Sequence, residues 1–474
     1  MSDEIVITDT LDEVRELLHN APDASSLCEI GLSMIVRGEG AARAVVETLE
    51  KMNVVRGARV TVLSDAVAKR YGDSDVLDVV LNELGAAFRA DVVKVIASFP
   101  NSLVLADEAT VAGAISDVAR HAPQALVSVG SGTVVDIGKV AARELSLVHV
   151  VVQTAASVNG FSDGHSVLLV KGVKRTTPSR WPDALIIDPC VLARAPLAMA
   201  RSGLGDQLSM FSAAADWYLS DAVGFDVSFS PTVVALMRRS FVGLGSSLRE
   251  VGEGSSDAVT SLASCLAVGG IAMGVAGRTA PSSGTEHLIS HLLEMYADAS
   301  GTPSASHGSQ VGVSSVFAML LWRHVRDHLT TGVRQVSGIN IASRERVLET
   351  FAHLDTTGAL AEECWTAYER KARWMSAHLG DVQRVVSEWS AHDVVVEDLL
   401  GPVGDVSAML RDAQAPLSFS QLEPAPPQDV VAWSIANGHL MRDRFTIIDL
   451  AVLVGFWTPD NIAAIMKELD DLAS

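Results

Sequence analysis

The sequence predicts an α/β domain over residues 26–195 followed by an all-α domain over residues 196–474, with residues 1–25 as a variable N-terminal extension. Three observations predict it. Short β-branched apolar runs alternate with helical spacing in the first part; strand signals then fade into long Ala/Leu/Met-rich stretches; and small polar loops follow two of the apolar runs. Continuous apolar strands between amphipathic helices indicate a parallel sheet covered on both faces.

The strand candidates are "RVTVLSD" (59–65), "DVVKVIAS" (91–98), "ALVSVGSGT" (125–133), "LSLVHVVVQTAAS" (145–157) and "ALIIDPCVL" (184–192). Between them, "EATVAGAISDVARHA" (108–122) has helical spacing. Further on, helices are predicted over 196–221, 229–251, 255–276, 282–298, 310–330, 342–355 and 357–379. A proline-rich break, "LEPAPPQD" (422–429), precedes a last helical pair around "RDRFTIIDLAVLVGFW". Chemistry is expected between the carboxyl edge of the sheet and the helical domain.

The totals bound the partners. A chain of 474 residues, 48% hydrophobic and 20% charged, can bury a sizeable core. Acids outnumber bases 57 to 36, for a formal charge of -21, which argues against nucleic acid or an anionic membrane as partner. The four cysteines, Cys28, Cys190, Cys265 and Cys364, form no C-x-x-C pair, so reduced thiols in a cytoplasm are expected. The acidic start "MSDEIVITDT" lacks the pattern of a signal peptide. Residues 258–277 are uncharged over a length that would cross a bilayer. Their Ala, Gly and Ser content, without an aromatic belt, reads as a tightly packed interior helix and not a membrane span.

Gly130, Ser131, Gly132 and Thr133 stand between a strand and a helix. Small residues let backbone N–H groups approach a phosphate at the helix start, although an ordinary tight turn has the same look. The Walker spacing is absent, and Val135 stands where a third glycine of G-x-G-x-x-G would fall. "QTAASVNGFSDGHS" (153–166) follows the next strand, so Thr154 and Ser157 could reach the same dinucleotide. Asp65 ends the strand "VTVLSD", where an acid accepts hydrogen bonds from an adenosine ribose or simply caps a helix. An acid there favours NAD over NADP, because it repels a 2′-phosphate.

The helical part holds a second cluster. Asp206 in "GLGDQLS" is read as starting a helix after two glycines; His307 in "SASHGSQVGV" precedes another. In "GTEHLISHLLEM" (284–295), His287 and His291 share a helical face, with Glu294 along the same side. Glu286 lies about 100° round the helix, where it supports the shell or the surface. An acid with two histidines is a plausible set for one divalent metal, zinc, iron or nickel. The spacing alone does not choose among the histidines, and H-E-x-x-H is absent.

Taken in order, "GSGTVVDIGK", "QTAASVNGF", "GLGDQLS", "SGTEHLISHLLEM" and "HGSQVGV" resemble the superfamily of iron-containing alcohol dehydrogenases and dehydroquinate synthase. The sn-glycerol-1-phosphate dehydrogenase branch is the most similar in pattern, and "MRDRFTIIDLAVLVG" resembles its closing segment. The resemblance covers residues 25–330 and 430–460 and hardly touches 330–430. It implies a dehydroquinate synthase-like fold, an α/β dinucleotide-binding domain with an all-α C-terminal domain. It also implies metal-dependent, NAD(P)H-linked interconversion of a small ketone, such as dihydroxyacetone phosphate, and a secondary alcohol, such as sn-glycerol 1-phosphate.

By the same resemblance Asp206, His287 and His307 ligate the metal, while His291, Asp206 and Asn159 face the substrate. The loop Gly130–Thr133, with Asp65, Asp136, Thr154, Ser157 and Asp163, faces the cofactor. Lys174 and Arg175 are candidate phosphate contacts, or a solvated basic loop. Two departures stand out: Asn159 replaces the branch's usual Asp, and Asp163 its usual small serine. Two other readings remain, an NAD-using sugar-phosphate cyclase resembling dehydroquinate synthase, and a catalytically lapsed binding protein. The cyclase usually carries Glu as its acidic ligand, where this chain has Asp206. A homo-oligomer, a dimer or higher, is the default expectation.

Overall fold

The computed structural model describes residues 6–7, 9–96, 104–332 and 335–474. Two compact units emerge. One comprises Met1–Val170, Lys174–Leu204 and Pro231–Thr279; the other comprises Lys171–Val173, Gly205–Ser230 and Ala280–Ser474. Residues 231–279, helical in the sequence reading, thus group with the sheet.

Among the described residues, the first unit is built on a seven-stranded sheet. Across it run Val6–Ile7, Met34–Arg37, Ala184–Ile187, Val148–Gln153, Ala125–Gly130, Arg59–Asp65 and Arg89–Val95. Six strands pair in parallel; Val6–Ile7 joins the edge antiparallel. The apolar runs are continuous because both faces are covered. Val60, Val62, Val127 and Val129 pack on one side with Leu77, Val80 and Leu84. Leu63 and Leu126 pack on the other with Val111, Val118, Ile137 and Ala141. Each such side chain fully buried contributes roughly 1.5–3 kcal/mol. The strand expected over 91–98 is Arg89–Val95, and its residues 97–98 lie outside the described residues. Residues 1–25, read as an extension, include the helix Asp9–His19, which buries Leu11, Val14 and Leu18 on one face.

The chain runs outward from Arg59–Asp65 to the edge strand Arg89–Val95, then returns to Ala125–Gly130 and continues the other way. The strand order therefore reverses between Arg59–Asp65 and Ala125–Gly130. A crevice at the carboxyl ends of such a pair is where open α/β sheets bind ligands.

The helix Ser256–Ala276 is apolar enough to span a membrane by length and composition, yet 83% of its most apolar window is buried. Two of its glycines are needed for close approach. A Cβ at Gly274 would overlap the Trp181 ring, and one at Gly270 would overlap Ser162 Oγ and lie 2.5 Å from the Asn159 carbonyl oxygen. The Ser162 hydroxyl donates to the Ala267 carbonyl at 2.6 Å, seating the loop that carries Asn159 on this helix.

The second unit is helical. Its central pair is Thr285–Ser300 and His307–Thr331. Residues 335–430, beyond the reach of the resemblance, form five helices between Arg344 and Asp412. A fully buried Lys371 ties the helix Ala359–Ala377 to the C-terminal segment. Its ammonium donates to the carbonyls of His439 (2.7 Å) and Arg444 (2.9 Å) and pairs with Asp449 at 2.8 Å.

One expectation is corrected here. Asp206 does not start a helix; it lies inside the 27-residue helix Leu197–Val223. The glycine before it serves close packing: a Cβ at Gly205 would overlap the Gly308 carbonyl oxygen.

Candidate active site

In the sheet unit, three neighbouring strands end at the reversal point. Asp65 ends one, Gly130 the next and Gln153 the third; Gln153 pairs with Gly130 and is followed by Thr154. The Thr154 N–H donates to the Gly130 carbonyl at 3.1 Å, holding the two loops together. The helix Gly132–Glu144 opens on Ser131 with no side-chain cap bond, so its first-turn N–H groups remain available to an anion. A Cβ at Gly130 would lie 2.5 Å from Val134 Cβ, which explains the glycine between strand and helix. Thr133 lies in the first turn; Thr154 and Ser157 are buried. Asp65 accepts from the Val67 N–H at 2.9 Å and pairs with Lys69 at 2.5 Å. These groups fit a dinucleotide pyrophosphate and ribose.

Asp136 and Asp163 are placed otherwise, around the buried Lys139. The Lys139 ammonium lies 2.7 Å from Asp163 and 3.5 Å from Asp136, and donates to the carbonyls of Gly160 and His165. Burial pushes the Asp136 carboxyl up to about 6, against the opposing pull of Lys139. Asn159 is buried in the loop seated on Gly270. Lys174 and Arg175 lie half-buried on the strand Val173–Pro178.

In the helical unit, Asp206, His287 and His307 each offer a ligand atom, all within 4.8 Å of one another. Asp206 Oδ1 lies 3.5 Å from His287 Nε2 and 3.8 Å from His307 Nε2. Donors about 2.1 Å from one tetrahedral ion stand about 3.4 Å apart, so the spacing suits a shared cation. The other ring nitrogens are held by acids. His287 Nδ1 lies 3.0 Å from Glu286 Oε1, which directs Nε2 towards Asp206. His307 Nδ1 lies 3.3 Å from Glu294 Oε2 and 3.3 Å from Ser290 Oγ. Burial lowers the basicity of His287, but Asp206 and Glu286 outweigh it and hold the imidazole above its ordinary value. The same negative field favours a divalent cation. A second set, His291, Glu294 and His307, also lies within 4.8 Å. The His291 ring stands 5.8 Å from that of His287 and 5.4 Å from that of His307.

Three further residues escape the sequence reading. Asp216 accepts the Thr285 N–H at 2.7 Å and the Ile447 N–H at 2.9 Å, so it joins the start of the His287 helix to the C-terminal segment. Burial, then the charge of Glu286, pushes its carboxyl up to about 7. Arg442 is buried, with Nη2 3.3 Å from His291 Nδ1. Arg444 donates to the Ser283 carbonyl. The one sequence signal for the arginines is their place in "MRDRFTII", charged residues beside an apolar run.

Residues 36–196 match the family described as iron-containing alcohol dehydrogenase. The chain belongs to that family. Among its relatives is the glycerol-1-phosphate dehydrogenase [NAD(P)+] of Bacillus licheniformis, 31% identical over 343 residues, covering 72% of this chain and 71% of the relative. The Bacillus subtilis protein of that name is 27% identical over 434 residues, covering 92% of this chain and 94% of its own. For the Geobacillus thermodenitrificans protein, 32% identical over 223 residues, the match spans 46% of this chain and 54% of that relative. The fold is shared with a probable glycerol dehydrogenase from Sinorhizobium meliloti, at TM-score 0.59 and 16% identity, covering 94% of this chain and 99% of that one.

Proposed function

We propose that the protein is a metal-dependent, NAD(P)H-linked dehydrogenase that interconverts a small polar ketone and its secondary alcohol, with dihydroxyacetone phosphate and glycerol 1-phosphate as the substrate pair. The convergence of Asp206, His287 and His307 carries this reading. Support comes from the relatives named for glycerol 1-phosphate and from the glycine loop at the sheet's reversal point.

Of the two donor sets, the one with Asp206 and His287 is the better cation site. Glu286 supports it from behind, whereas the guanidinium of Arg442 stands beside His291 and repels a cation there. A divalent ion, zinc, iron or nickel, would supply Lewis-acid stabilisation of the substrate oxygen, and the nicotinamide cofactor would supply or take the hydride. Asp206 and the two histidines hold the ion; Gly130–Thr133 receive the pyrophosphate. His291, one turn beyond His287, is the candidate to hold or deliver the proton at the substrate oxygen. Asp65 suits a ribose hydroxyl, and Lys69 beside it suits a 2′-phosphate, so the pair accommodates either cofactor. Asp163, paired with Lys139, has a structural role in this reading.

The test is metal content together with NADH and NADPH oxidation against dihydroxyacetone phosphate and a panel of ketones. Metal-dependent turnover of the phosphorylated ketone is expected. Cofactor binding without turnover of any ketone would sink the reading. Conversion of a sugar phosphate without net NADH change would point to a cyclase.

A further inference from the structure

We propose that Arg442 is the anchor for the substrate's anionic group, its guanidinium receiving the phosphate of the ketone while the metal end of the site receives the carbonyl. The proposal rests on the dehydrogenase reading above. It names a specificity-determining residue within that site.

The backbone sets the side chains. Arg442 has φ −141° and ψ 162°, an extended conformation in which alternate residues point to the same side. Arg442 is buried, whereas Asp443 turns outward to Arg370 at 2.9 Å. Arg444 turns inward again. It donates to the Ser283 carbonyl and feels the carboxylates of Asp443, Glu286 and Asp216. Arg442 points its Nη2 at His291, whose ring stacks 5.4 Å from that of His307. The guanidinium is therefore one side chain removed from the donor set.

A buried guanidinium attracts an anion more strongly than an exposed one, because little water screens it. Its planar fork matches the geometry of a phosphate, and an ammonium does not. The segment is also rigid. Lys371 pins the carbonyls of His439 and Arg444 on either side of Arg442, and Asp216 pins Ile447 beyond it. A fork fixed in advance loses little entropy on binding. A three-carbon ketone with a terminal phosphate has two polar ends, one for the cation and one for the arginine.

The experiment compares dihydroxyacetone phosphate with dihydroxyacetone in the metal-loaded enzyme and in Arg442→Met and Arg442→Lys. In Arg442→Met, kcat/KM for the phosphorylated ketone is expected to fall roughly ten- to hundred-fold. The unphosphorylated ketone should lose clearly less, so that the ratio of the two kcat/KM values falls, with metal content kept. Arg442→Lys should fall between. Inorganic phosphate should inhibit wild-type turnover of dihydroxyacetone competitively, and Arg442→Met much less. An equal fall for both ketones with metal retained would overturn the proposal and leave Arg442 as a positioning residue for His291. No change with dihydroxyacetone phosphate would overturn it too. Should the methionine variant lose its metal, the same ratio in the lysine variant decides. A wild-type enzyme that reduces dihydroxyacetone as well as its phosphate would overturn the substrate assignment itself, whatever the variants do.

Discussion

Glu294 Oε2 lies 3.3 Å from Nδ1 of His307, so an acid on one helix orients an imidazole at the start of the next. A ligating histidine held this way presents its other nitrogen in a fixed direction. Glu294→Ala should lower metal affinity by about 10- to 100-fold, with the helical content unchanged. Titration of the metal-free protein with zinc or iron(II) measures it. Unaltered affinity would remove Glu294 from the site.

Gly205 brings the Asp206 helix onto the start of the His307 helix. A Cβ there would overlap the Gly308 carbonyl oxygen and lie 3.2 Å from Gly312 Cα, and backbone cannot swing aside as a flexible side chain would. Gly205→Ala should cost about 1–3 kcal/mol in stability and weaken metal binding as Asp206 and His307 separate. Thermal unfolding with and without added metal reads both effects.

His149 supplies a pH dependence. It is buried, 2.8 Å from the Ser128 hydroxyl, and burial pushes its imidazole down to about 3. A folded value depressed below the unfolded value of about 6.5 means the native state disfavours the proton. The stability this confers is present above about pH 6.5 and is lost as pH falls towards 3. At about pH 5 the loss is about 2 kcal/mol. Denaturant melts should show that loss in the wild type, and a shallower slope between about pH 6.5 and 4 in His149→Gln.

Much of the sheet is legible in the sequence because its strands are buried on both faces: a run such as "ALVSV" can be little else between amphipathic helices. The hairpin His165–Val170 with Val173–Pro178 is not, since its strands are half-buried and carry Lys174, Arg175 and two threonines. The short strand Met34–Arg37 is too brief to show a pattern. At the candidate site, the histidines are visible as polar residues in apolar helices. Their acids, Glu286 and Glu294, are visible as neighbours, but not the bond each makes to a ring nitrogen. Glu286 is a sequence neighbour of His287, and helical spacing alone puts neighbours on different faces, yet its carboxylate reaches back to His287 Nδ1. Asp206 reads as a helix start because glycine also marks turns, whereas here Gly203 and Gly205 admit neighbouring backbone. Arg442 lies 151 residues from His291, a pairing that no local pattern encodes.

The central claim is that Asp206, His287 and His307 hold a metal ion that the reaction requires. It is tested most directly by metal content and NADH oxidation in His287→Ala, measured side by side with the wild type. The account predicts that the variant keeps its fold, carries substoichiometric metal and loses turnover of dihydroxyacetone phosphate in proportion. A variant that remains metal-replete and active would contradict it, and would leave His291, Glu294 and His307 as the set to test.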